Sequence, residues 1–160
     1  NREQIPFVKV GGFKFVESAH IKDVLAHLRV MSNPYDRISW YRILLLIEKI
    51  GPVTAQKIYE SIRSEASGYT GLLSIKSQSG AGAGLKKLER LFSSVDTHQM
   101  PLAKLGEAVV EYYLPILKGK YDDHPKRAKD LEQLLVRLGV QPTQELDEGA
   151  SAAVALHAQP

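Results

Sequence analysis

Between residues 18 and 62 apolar side chains return every three or four positions, broken at Asn33-Pro34 and again at Gly51-Pro52. That spacing places them on one face of a helix. Ile21, Val24, Leu25, Leu28 and Met31 mark a first helix, with Ser18 as its N-terminal cap and Asn33-Pro34 as its end. Asp36 can cap a second, whose inward candidates are Trp40, Tyr41, Leu44, Leu45 and Ile47. A third runs from Pro52 to about Arg63, with Val53, Ala55, Ile58 and Ile62 inward. Residues 67–84 are rich in Gly and Ser and read as a loop with one short helical turn at most. Leu85, Leu88, Leu91, Phe92 and Val95 mark a fourth helix. Pro101 can open a fifth through Leu105, Val109, Tyr112, Tyr113 and Ile116. Pro125 can open a sixth through Leu131, Leu134, Leu135 and Leu138, stopped by Gly139. Ahead of these, residues 5–10 read as a short strand broken by Gly11-Gly12, and Phe13 and Phe15 alternate about Lys14 as a second strand or an extended lead-in. The expected class is mainly α: a helical bundle with a short β segment at the N-terminus.

The stretch from Ile43 to Ile62 is the most informative. An apolar helical run stops at Ile50-Gly51, and Pro52 starts a new helix at once. Proline suits the first helical position because its φ is already helical and the N–H it lacks would have no partner there. Gly51 gives the turn a residue tolerant of unusual φ and lets another backbone come close. The outward N-terminus then offers free N–H groups and the positive end of a helix dipole to a phosphate. Lys49 and Lys57 flank it as natural phosphate partners. This turn resembles a helix-hairpin-helix, which grips the DNA backbone without reading sequence.

Charge permits such a partner. All 21 basic residues but only 15 of the 18 acidic ones fall in the first 140 residues, a net of +6 there. An excess of that size allows binding by counterion release without requiring it. No cysteine is present, which removes disulfides, thiolate metal sites and a Cys nucleophile, and fits a cytoplasmic setting. No apolar run approaches the length of a membrane span. The chain lacks Met at position 1 and reads as a piece of something longer.

Other candidate chemistry is weak. The run GAGAGLKK at 80–87 has neither the GK[ST] ending of a phosphate loop nor a strand before it. His20, His27, His98, His124 and His157 show no metal spacing, and Asp122-Asp123-His124 reads as a cap for the helix at Pro125. Lys22-Asp23 reads as a solvent face with weak ion pairing. Lys118, Lys120, Lys126, Arg127 and Lys129 read as mixed, solvated surface charge. Catalytic residues and a metal site are not expected.

Residues 5–34 resemble the start of the 2B subdomain of UvrD/Rep/PcrA-type superfamily 1 DNA helicases. The matching residues are Ile5-Pro6-Phe7, Gly11-Gly12, Phe15, Ile21-Lys22-Asp23, Leu25, Leu28-Arg29 and Asn33-Pro34, specific as an ordered set. The turn at 50–55 falls where that family carries a Gly-Ile-Gly duplex-contacting turn, with Lys49 in place of the first Gly. Residues 121–135 resemble a late 2B helix. The resemblance implies a helical 2B-like subdomain over 13–140, a junction strand from the neighbouring RecA-like lobe over 1–12, a hinge at Gly11 and Gly12, and a linker or disordered tail over 141–160. It implies a parent that uses ATP and Mg²⁺ to unwind DNA 3′→5′ in repair or replication. The sequence carries no ATPase motif, so the chain is expected to be inactive alone, with no cofactor of its own. The implied partners are double-stranded DNA at a duplex/single-strand junction, gripped through Lys49, Ile50, Gly51, Val53, Thr54 and Lys57, and the neighbouring helicase lobes. The competing readings are a protein-docking or autoinhibitory module of the same helicase and a stand-alone helix-hairpin-helix domain.

Overall fold

Apolar stripes at helical spacing build seven helices among residues 13–64 and 82–142, the residues that a computed structural model of the chain describes. They are α1 Phe13–Glu17, α2 Ala19–Ser32, α3 Arg37–Leu45, α4 Pro52–Ser64, α5 Gly82–Ser93, α6 Leu102–Lys120 and α7 His124–Arg137. No strand occurs among the described residues. The expected strand at 5–10 and hinge at Gly11 and Gly12 lie outside them, as does most of the loop at 67–84. Phe13 to Phe15, expected to be extended, are helical instead, and the Phe15 ring packs against the core edge.

The core is one cluster. α2 lies at its centre, against α3 on one side and α6 and α7 on the other, while α4 covers α3 and α5 covers α6. Ile21, Val24, Leu28, Trp40, Ile43, Leu44, Ile58, Leu85, Leu88, Val109, Tyr113, Leu131 and Leu134 are shut off from solvent. Burying each aliphatic side chain of this kind stabilises the fold by about 1.5–3 kcal/mol. Trp40 Nε1 donates to the Pro34 carbonyl at 2.7 Å, which ties α3 to the connection before it.

Local chemistry sets the helix ends. The Asp36 carboxylate caps α3, accepting from the Ser39 N–H at 3.1 Å and from its hydroxyl at 2.9 Å. Gly139 takes φ +112 just past α7, a conformation glycine reaches without penalty. Ser18 and Asp123 occupy cap positions but make no side-chain cap bond; the Asp123 carboxylate accepts from Arg127 Nε instead. Two glycines permit close helix packing. A Cβ on Gly84 would sit 2.5 Å from Ile47 Cγ2, and one on Gly106 would meet Leu138 and Leu135 at 3.0 and 3.2 Å. The glycine-rich start of α5 therefore serves packing against the α3–α4 connection.

Two inward assignments fail. Leu45 is 45% exposed and Val53 is 68% exposed. α3 also ends at Leu45, several residues before the expected stop at Ile50-Gly51. Residues 46–50 descend through turns, with Ile47 N–H donating to Leu44 O and Ile50 N–H to Ile47 O. Ile47 and Ile50 are buried from these turns, while Leu45 lies opposite the Trp40, Ile43 and Leu44 face of α3.

Candidate nucleic-acid interface

The six sequence-predicted contact residues run from the turn before α4 into its second helical turn, in unequal roles. Ile50 is buried and anchors the turn from below, so only its main chain faces outward chemistry. Gly51, Val53, Lys49 and Lys57 are exposed, and Thr54 is half-buried. Val53 and Lys57 are one helical turn apart and share a face of α4.

Gly51 is the N-cap of α4: its carbonyl accepts the Ala55 N–H at 2.9 Å, and Pro52 follows as the first helical residue. Glycine has no side chain to cap the helix, and no carbonyl of α4 reaches the N–H groups of Val53 and Thr54 in the first turn. They lie at the positive end of the helix dipole. A Cβ added to Gly51 would meet nothing within 4 Å. The fold makes no steric demand for glycine there, yet the position leaves α4 open to a close approach from outside.

The unusual backbone conformation sits at Lys49, not at Gly51. Lys49 has φ +74, the only positive φ of a non-glycine residue among those described. For an L-residue this region costs about 1 kcal/mol or more. A strained residue at an exposed turn is the kind of outlier from which a functional hypothesis starts. Neither Lys49 nor Lys57 forms an ion pair with another described residue.

Charges elsewhere are held by internal partners. Asp23, expected on a solvent face, is 1% exposed. Its carboxylate accepts from Arg42 Nε at 2.8 Å and from the Tyr113 hydroxyl, with Lys120 Nζ at 3.7 Å. Burial, and then this bond to Asp23, pushes the Tyr113 hydroxyl far above its ordinary pKa. Only Lys22 behaves as expected, in an exposed pair with Glu17 at 3.3 Å. At the α6–α7 junction Arg127 donates to Asp123 Oδ1 at 2.8 Å, faces His20 Nδ1 at 2.9 Å and stacks 3.9 Å from the Tyr121 ring centre. An Arg donor makes His20 Nδ1 the acceptor, so His20 Nε2 carries the proton it shares with Asp130 at 2.8 Å. The bond from Arg127 also holds Asp123 below the usual carboxylate range. Lys120 and Arg127 thus leave the solvated cluster to which the sequence assigned them. His27 is fully buried, has no partner at Nε2 and is held to the Asp23 carbonyl through Nδ1 at 2.7 Å; burial drives its pKa down to about 4.

Among the described residues no group of three or more His, Asp or Glu is placed to hold a metal, and no helix is long and apolar enough to cross a membrane. What the sequence reading missed is the strain at Lys49 and the burial of Asp23. An acid set among Ile21, Val24 and Leu25 was the available signal for the latter.

The comparisons with known proteins agree with one another. Residues 1–79 match the family of UvrD-like helicase C-terminal domains. The chain is 29% identical to ATP-dependent DNA helicase UvrD1 of Mycobacterium leprae, over 96% of this chain and 21% of that protein. It is 32% identical to a probable DNA helicase II homolog of Mycoplasma capricolum, over 82% of this chain and 18% of that protein. It is 43% identical to ATP-dependent DNA helicase PcrA of Staphylococcus epidermidis over 36% of this chain and 8% of that protein. The chain spans about a fifth of the length of the first two of these relatives. No solved structure matches it. Similarity to a UvrD-like helicase C-terminal domain over the first 79 residues, and to UvrD and PcrA helicases, supports the UvrD-like helicase superfamily for this chain.

Proposed function

We propose that the chain is the 2B-like, non-catalytic subdomain of an ATP-dependent 3′→5′ DNA helicase, holding duplex DNA beside its junction with single strand. The observation that carries this reading is the uncapped start of α4. Gly51 leaves open space, the Val53 and Thr54 N–H groups have no partner within α4, and Lys49 and Lys57 flank them without described ion-pair partners. Such a turn takes a phosphate by its backbone dipoles and two point charges, and reads no base. In this reading ATP and Mg²⁺ act in the motor lobes, and Gly11 and Gly12 join the subdomain to its neighbouring lobe.

The test is fluorescence anisotropy of the chain on a short duplex with a single-stranded tail, at several salt concentrations. Binding to the duplex should ignore sequence, and log K should fall with log salt with a slope near −0.9 for each phosphate neutralised. Lys49→Glu combined with Lys57→Glu should weaken it about tenfold or more by replacing two attractions with repulsions. Unchanged duplex affinity in that folded double variant would move the role of this face to protein docking.

A further inference from the structure

Beside the turn, residues 46–49, the start of α5 and the second half of α6 enclose an open groove of about 670 Å³. Lys49, Lys87 and Lys120 stand around it, one from each wall, and Glu48 is the one acidic residue that lines it. Its apolar surface includes Tyr112, Pro115 and Ile116. Lys87 has no ion pair with another described residue. Gly119 lies in the same wall, and a Cβ there would meet nothing within 4 Å. Glycine weakens a helix, and here no neighbour requires its small size. Like Gly51, it keeps backbone open to the outside.

We propose that this groove seats a short stretch of single-stranded nucleic acid, with bases against Tyr112, Pro115 and Ile116 and phosphates at Lys49 and Lys87. The chemistry matches repeat by repeat. A single strand offers an apolar π-face and a negative charge in every nucleotide, and proteins hold it with an aromatic platform inside a basic channel. The volume lies in the range of about 300–1,000 Å³ that takes a drug-sized ligand, the scale of a nucleotide or two and not of a double helix. Lys49 and Lys87, without described ion-pair partners, against the single Glu48 make the groove complementary to a polyanion, while Lys120 on the third wall is shared with Asp23 at 3.7 Å. Lys49 belongs to both the groove and the turn at α4, so a strand parting from a duplex held at that turn passes directly into it. The proposal rests on the duplex reading through Lys49 alone.

The experiment measures anisotropy of a labelled oligothymidylate of about eight nucleotides, with a blunt duplex titrated in parallel. Two phosphate contacts predict a slope of log K on log salt of about −1.4 for the single strand. Lys87→Gln, an exposed change, should weaken oligothymidylate about threefold to tenfold, flatten that slope by about 0.7 and leave the duplex unaffected. Tyr112→Leu should weaken it about fivefold with the slope unchanged, since it removes stacking and no charge. No oligothymidylate binding at low salt, or a Lys87→Gln variant with the parent affinity and slope, overturns the proposal. So does capture of an oligoglutamate peptide in place of oligothymidylate, which would assign the groove to an acidic protein partner. Single-strand binding that survives when duplex binding is absent would remove the duplex reading and keep the groove; the reverse would do the opposite.

Discussion

Two basic regions of this molecule look alike in sequence and differ in structure. At the α6–α7 junction and beneath it, Lys120, Arg127 and Arg42 are joined to Asp23, Asp123, His20 and Tyr121. Around the start of α4, Lys49, Lys57 and Lys87 have no described ion-pair partner, and the backbone beside them is open at Gly51. The first region holds helices together, and the second faces outward with its charges uncommitted. A run of lysines is therefore weak grounds for a binding site until its internal partners have been counted.

If the first region is structural, its removal should show in stability. Asp23→Ala takes a buried carboxylate away from Arg42, Tyr113 and Lys120, and should destabilise the fold by about 3 kcal/mol in urea unfolding. A loss under about 1 kcal/mol would mean that Arg42 and Lys120 turn to solvent without consequence, and would break the contrast.

His27 extends the structural side to pH. Its folded pKa, about 4, lies below the ordinary value of 6.5, so the unfolded chain binds the extra proton between those two pH values. Stability from this group is full above pH 6.5 and falls as pH drops towards 4. The whole decline amounts to about 3 kcal/mol, because stability changes by about 1.36 kcal/mol for each pH step between the two values. Asp23 on its own helix and Tyr112 and Tyr113 from α6 surround the ring. Thermal melts from pH 7 to pH 4.5 should show this decline, and His27→Phe should flatten it.

At the turn itself a gain in stability is expected. Lys49→Gly relieves a positive φ and should raise stability by about 1 kcal/mol while duplex affinity falls through the lost charge. Lower stability would mean that the Lys49 side chain supports the turn.

The same contrast marks how far the sequence could be read. The six longer helices, the Asp36 cap and the Gly139 stop were legible because each depends on residues within one or two turns, whereas α1 was not, since Phe13 and Phe15 alternate as they would in a strand. Burial of Asp23 was not, since its partners lie 19 and 90 residues away and only packing brings them together. Leu45 and Val53 were misassigned because each sits opposite the buried stripe of its own helix, set by Trp40, Ile43 and Leu44 in α3 and by Ala55, Ile58, Tyr59 and Ile62 in α4. The candidate turn itself was legible from Gly51-Pro52. The strain beside it was not, because a lysine carries no local signal of positive φ.

The most direct measurement is duplex affinity of Gly51→Asp, taken together with its unfolding curve. An aspartate at this N-cap can accept the free N–H groups of α4, so stability should hold or rise by a few tenths of a kcal/mol. The same carboxylate occupies and repels the place of a phosphate, so duplex affinity should fall about tenfold or more. Opposite signs in the two readings are what a phosphate-binding turn predicts. A folded Gly51→Asp variant that binds duplex as well as the parent chain would contradict it.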